Sequence, residues 1–111
     1  MSRITTHVLD TAAGRPVAGM EVTLRFRAVD TQPWKVVAHG KTDDDGRLRN
    51  LLPEAELLPG QYALDFDTSH HSPFFPEVTV QFAVERNAAP GQHYHVPLLL
   101  SPFGYSTYRG S

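Results

Sequence analysis

The feature that most constrains this chain is an apolar–polar alternation of period two that recurs along nearly its whole length. In "GMEVTLRFRAV", Met20, Val22, Leu24 and Phe26 alternate with Glu21, Thr23, Arg25 and Arg27. In "QYALDFDT", Tyr62, Leu64 and Phe66 alternate with Ala63, Asp65 and Asp67. In "EVTVQFAVE", Val78, Val80, Phe82 and Val84 alternate with Thr79, Gln81, Ala83 and Glu85. Successive side chains of a strand point to opposite faces, so each segment reads as a strand with one buried and one wet face. Between the runs lie "AAGRPVAG", "DTQP", "DDDG", "LLPG", "SHHSPFFP", "RNAAPGQ" and "SPFG", rich in residues whose dihedral preferences make turns. Seven or eight short strands with this punctuation predict an all-β fold, an antiparallel β-sandwich, as a single domain over residues 1–111. Only "PEAEL" and "TSHHS" have room for a helical turn.

One segment breaks the alternation. In "HVPLLL", Val96, Leu98 and Leu100 point one way while Pro97 and Leu99 point the other, so both faces are apolar. A sandwich strand turns only one face to its own core, and Pro97 removes a ladder donor, which favours an edge strand or a bulge. An apolar outer face on such a strand invites aggregation unless a second subunit covers it, so a symmetric homo-oligomer is expected.

Charge and hydropathy exclude other classes. Ten Lys and Arg against twelve Asp and Glu leave a net charge of −2, with no basic block to follow a phosphate backbone, so no nucleic-acid partner is expected. The longest apolar run, around "VPLLL", is about five residues, far below the ~20 of a membrane-spanning helix. "MSRITTHVLD" has no apolar stretch of the kind a secretory leader carries. The chain has no cysteine, which excludes disulfides and thiolate ligands and suits a reducing cytoplasm.

Six histidines in so short a chain draw attention to position. His93 and His95 lie two apart and share a strand face. His7, in "ITTHVLD", shares a face with Thr5 and Leu9, opposite Ile4 and Val8. In "DDDGRLRNLL", Arg47 and Arg49 share a face opposite Leu48, and the tail "STYRGS" adds Tyr108 and Arg109. Each of these types is more often an ordinary surface or hydrogen-bonded residue, and His39, His70 and His71 read that way. The "HYH" pair could reach one zinc ion, but no third ligand lies nearby in the chain. "DDDG" resembles the start of a calcium loop yet lacks the later ligands and the bidentate glutamate, so it reads as a turn. There is no "GxSxG" to support nucleophilic serine catalysis.

"THVLDTAAGRPVAG", "TDDDGR" and "HYHVPLLLSPFGYSTYRGS" closely resemble the 5-hydroxyisourate hydrolase family of transthyretin-like proteins, from about Ile4 to Ser111. The terminal "YRGS" is the most specific block; transthyretin, the hormone-carrying relative, lacks this tail and the histidines. The resemblance implies a β-sandwich of two four-stranded sheets with at most one short helix. It also implies a homotetramer, a dimer of dimers, with active sites in the channel between dimers. The implied reaction is hydrolysis of 5-hydroxyisourate to 2-oxo-4-hydroxy-4-carboxy-5-ureidoimidazoline in urate degradation. Carried over by position, the functional residues fall on His7, Arg47 and His95, with Tyr108, Arg109 and Ser111 at the substrate. "DTSHHSPFFPEV" is shorter than the family's usual helix-bearing connection, which leaves that helix open.

The residue types suit that chemistry. Opening a cyclic amide requires an activated water, stabilisation of a carbonyl oxygen as it gains charge, and a proton for the departing ring nitrogen. Imidazole, with an unperturbed pKa near ~6.5, exchanges protons at neutral pH. Guanidinium is permanently charged and its fork matches a planar, oxygen-rich ligand. His7 and His95 are assigned to water activation and proton delivery, Arg47 to binding and polarising the substrate, and Tyr108 to orienting it. No metal or organic cofactor is required. A small-ligand carrier using the same channel is the alternative.

Overall fold

The computed structural model describes residues 2–53, 57–88 and 91–110, and all its regular structure is β. One sheet is assembled from the chain's middle: β3 (Glu21–Arg27), β4 (Lys35–Lys41), β6 (Gly60–Asp67) and β7 (Glu77–Val84), in the order β4-β3-β6-β7, all antiparallel. Its registers align the apolar alternation of three strands into rows. Val22 pairs with Phe66 and Phe66 with Val78; Leu24 pairs with Leu64 and Leu64 with Val80; Phe26 pairs with Tyr62 and Tyr62 with Phe82. Paired residues share a face and touch, and in the third row ring centroids lie 4.9 Å and 5.7 Å apart.

The second sheet is built around β1 (Ile4–Asp10). Along one edge β1 pairs in parallel with β8 (Tyr94–His95) and β9 (Leu98–Ser101), and β10 (Gly104–Thr107) pairs antiparallel with β9. Along the other edge β1 pairs antiparallel with the two-residue strands β5 (Arg47–Leu48) and β2 (Arg15–Pro16). Six segments thus make a sheet four strands wide, opposite the four-stranded sheet. The expected seventh strand is split because Pro97 has no N–H to donate, yet β8 and β9 hold the same register on β1. At the break, the buried Thr6 hydroxyl donates to the Val96 carbonyl at 2.6 Å.

The two sheets enclose one core of Ile4, Val8, Val22, Leu24, Leu64, Phe66, Leu98 and Leu100, all at most 1% exposed. Phe82 reaches across to Tyr94 with centroids 6.3 Å apart. The connection after β6 carries no helix: the amides of His71 and Ser72 both donate to the Thr68 carbonyl, and the Ser72 hydroxyl donates to Pro102 at 2.7 Å. The turn considered at "PEAEL" includes residues 54–56, outside the described set. Pro97 is buried within the chain and Leu99 is half-buried, so the second apolar face of this strand is already partly covered by its own chain. Among the described residues no helix is long and apolar enough to cross a membrane.

Phe66 is fully buried in the middle of the first row. Phe66→Ala is expected to cost about 3–5 kcal/mol, read by urea denaturation, as a cavity at a fixed, close-packed site does. A cost below about 1 kcal/mol would contradict this core.

Candidate active site

Residues distant in sequence meet on β1. Ile4, Thr6 and Val8 face the core at 0–1% exposure, so Thr5, His7 and Leu9 must face outward. Directly paired residues share a face: His95 of β8 pairs with Thr5, and Arg47 of β5 pairs with His7. His7, Arg47 and His95 therefore come together on the outer face of three adjacent strands, all half-buried.

The "DDDG" turn positions two members of this set. Asp43 Oδ1 accepts from the amides of Asp45 and Arg47, both at 2.9 Å, and the Gly46 amide donates to the Asp43 carbonyl at 2.9 Å. These donors, the Arg47 amide foremost, hold the Asp43 carboxyl below the usual carboxylate range. Gly46 has φ +74°, and a Cβ there would lie 2.5 Å from the Val8 carbonyl oxygen, so only glycine fits. The turn delivers Arg47 onto β1 and aims the Asp45 carbonyl at His7 Nε2, 2.8 Å away. A carbonyl only accepts, so His7 carries a proton on Nε2.

His95 sits deeper. Burial pushes its imidazole below the ordinary histidine range, and the charges of His7 and Arg47 push the same way, while the Thr5 backbone opposes them. Thr5 Oγ1 lies 2.8 Å from its Nδ1. The Gly110 amide donates to the His95 carbonyl at 2.7 Å, which anchors the C-terminal tail on β8.

The other candidates lie outside these pairings. Tyr108 and Arg109 line an apolar groove of about 250 Å³ with Val80, Phe82, Tyr94 and Val96, and the Arg109 guanidinium sits 4.8 Å from the centre of the Tyr94 ring. Ser111 lies outside the described residues. His93 and Arg49 are exposed, His39 contacts the Thr23 hydroxyl on the other sheet, and His71 Nδ1 lies 3.6 Å from Asp10. Among the described residues no three His, Asp or Glu side chains converge as a metal site requires. Thr5 and Gly110 were not singled out in sequence as site residues; Thr5 was detectable only as the outward neighbour of His7 two residues away.

Residues 4–110 match the HIUase/Transthyretin family. The chain belongs to this family. It is 46% identical to the "5-hydroxyisourate hydrolase" of Ralstonia nicotianae, with both chains fully covered. Among solved structures, a 5-hydroxyisourate hydrolase from Klebsiella pneumoniae is 30% identical with a TM-score of 0.78, covering 97% of this chain and 98% of that one. Sea bream transthyretin, solved with thyroxine, is 28% identical with a TM-score of 0.86, covering 97% and 94%. Both solved structures thus share this chain's fold at comparable identity.

The surroundings of His95 make a titration test. Its NMR-monitored pKa is expected below the ordinary ~6.5, because burial and the nearby positive charges both disfavour the protonated ring. Arg47→Met removes one of those charges and should move the midpoint upward. A wild-type midpoint at or above 6.5, or a downward move in the variant, would contradict this electrostatic arrangement.

Proposed function

We propose that this chain, one domain over residues 1–111, hydrolyses 5-hydroxyisourate to 2-oxo-4-hydroxy-4-carboxy-5-ureidoimidazoline. The observation that carries this reading is the convergence of two imidazoles and a guanidinium on one sheet face, through the pairs Thr5–His95 and His7–Arg47. The name carried by full-length relatives supports it.

In the proposed reaction one imidazole takes a proton from water as the water oxygen bonds to the lactam carbonyl carbon. Negative charge then develops on the carbonyl oxygen, where the Arg47 guanidinium stabilises it. The carbon–nitrogen bond breaks as the ring nitrogen receives a proton from the other imidazole, which enters the step as imidazolium and leaves it neutral, while the first ring returns its extra proton to solvent. Each positioned proton transfer is worth ~10²–10⁴-fold in rate. Tyr108 orients the substrate, with Arg109 and Ser111 at the rim. Protons and one fixed positive charge suffice for these steps, so the proposal includes no metal or organic cofactor. A cytoplasmic location belongs to the same proposal.

His7, Arg47 and His95 lie on a sheet face, whereas sites for small molecules usually enclose most of the ligand surface. We therefore place the site against a second copy, in a homotetramer built as a dimer of dimers. Exposed Phe74, Phe103 and Tyr105 near the β9–β10 turn support further contact between copies. The likeness to transthyretin favours a carrier as the second reading, but a carrier of apolar ligands has no use for this acid–base set.

His95→Asn is expected to lower turnover of freshly generated 5-hydroxyisourate at least ~10²-fold with the melting temperature kept. Activity near wild type would overturn the catalytic reading. Light scattering at micromolar concentration should give about four times the 12.3 kDa chain mass. A monomeric mass would overturn the shared site.

A further inference from the structure

Two contacts on His95 are used neither for folding the sheet nor for touching substrate. The first is the Thr5 hydroxyl at Nδ1, 2.8 Å away, from a residue only 8% exposed. The second is Gly110, whose missing Cβ would lie 2.5 Å from His95 Cδ2, 3.2 Å from Cγ and 3.3 Å from Cβ. The ring is therefore held at one nitrogen by Thr5 and covered along its Cδ2 side by the tail backbone. The tail is fixed there by its own amide, which donates to the His95 carbonyl. Gly110 is not in the left-handed region, so its lack of a side chain matters here for space and not for backbone conformation.

We propose that Thr5 and Gly110 are positioning residues that together hold His95 in one orientation and in its Nδ1–H form, leaving Nε2 as its working nitrogen. This rests on the reading of His95 as a catalytic residue, and specifically as the imidazole that takes the proton from water. A hydroxyl can accept or donate, so the direction of the Thr5 contact needs its own argument. If Thr5 donated, the lone pair of neutral His95 would point at Thr5, and Nε2 would carry a hydrogen and could take no proton from water. If Thr5 accepts, the proton rests on Nδ1 and the Nε2 lone pair is free. His7 is held the other way round, with its proton on Nε2 by the Asp45 carbonyl. The two imidazoles are thus fixed by different acceptors through different nitrogens, which makes them chemically unequal although both are histidine.

The same geometry accounts for the glycine of the terminal "YRGS". A methyl group at position 110 cannot be accommodated by a swing of the ring without breaking the Thr5 contact, because the ring is held on that side. The tail thereby acts on the site through its backbone as well as through any side chain it offers to substrate.

The test combines nitrogen-15 NMR of the imidazoles with steady-state kinetics on the full chain. Wild-type His95 above its titration midpoint should show the Nδ1–H form, and Thr5→Val should lose that preference. Thr5→Val should also lower kcat about tenfold, the rate equivalent of one net hydrogen bond, with KM little changed. Thr5→Ser keeps the oxygen and should restore both the tautomer and most of the rate. Gly110→Ala should lower kcat and shift the His95 ring resonances. A wild-type Nε2–H form, or Thr5→Val with wild-type tautomer and rate, would overturn the role of Thr5. Gly110→Ala with unchanged rate and resonances would overturn that of the tail. An active His95→Asn variant would instead sink the catalytic reading, and the wild-type tautomer would still decide the orientation of the ring.

Discussion

The register of β1 is the constraint on which the rest of the structure depends. This seven-residue strand pairs with β8 and β9 on one edge and with β5 and β2 on the other. Because side chains alternate, a slip of one residue would send His7 into the core and expose Ile4 and Val8. The burial of Ile4, Thr6 and Val8 therefore fixes the outward placement of His7 as firmly as it fixes the packing. Stability and chemistry are set by opposite faces of the same seven residues, and neither can shift without the other.

That coupling explains the irregularities beside β1. Parallel pairing with β8 and β9 runs past Pro97, which cannot complete the ladder, and the Thr6 hydroxyl occupies the carbonyl next to the gap. Gly46 lets the "DDDG" turn come within reach of the Val8 carbonyl, and the Val8 amide donates to the Gly46 carbonyl at 2.8 Å. A bulkier turn would move Arg47 off His7. Both of these departures beside β1 lie within two residues of Arg47 or His95.

Much of this was legible in the sequence. The period of two in the segments that became β3, β6 and β7 marked strands and their buried faces, because alternation is a local property that one strand carries by itself. Turn positions were legible for the same reason. What could not be read is who pairs with whom: β1 and β8 are separated by nearly the whole chain, and no local pattern says that Thr5 lies beside His95. The split at Pro97 was foreseen as a weakness in the ladder, but not that Pro97 would be buried by its own chain. For the site, residue type and resemblance marked His7, Arg47 and His95. Thr5 and Gly110 stayed hidden because a threonine in a strand and a glycine near a terminus have many uses, and only the contact distances select one. Tyr108 and Arg109, added by resemblance, line the groove beside Tyr94.

This fold is shared with a thyroxine-bound transthyretin as well as with a hydrolase. The core rows, the sheet order and the turn that carries Arg47 would serve a carrier equally well. What an acid–base site adds is a small number of outward side chains and the acceptors that fix their protons. Two histidines on a sheet face are not yet an acid and a base: each neutral ring has two tautomers, and unconstrained rings would populate both. The Asp45 carbonyl removes that ambiguity for His7 by accepting from Nε2. At His95 the hydroxyl of Thr5 and the close approach of Gly110 limit the ring on two sides. On this view the step from binding module to enzyme depends less on acquiring imidazoles than on acquiring the neighbours that make two imidazoles unlike.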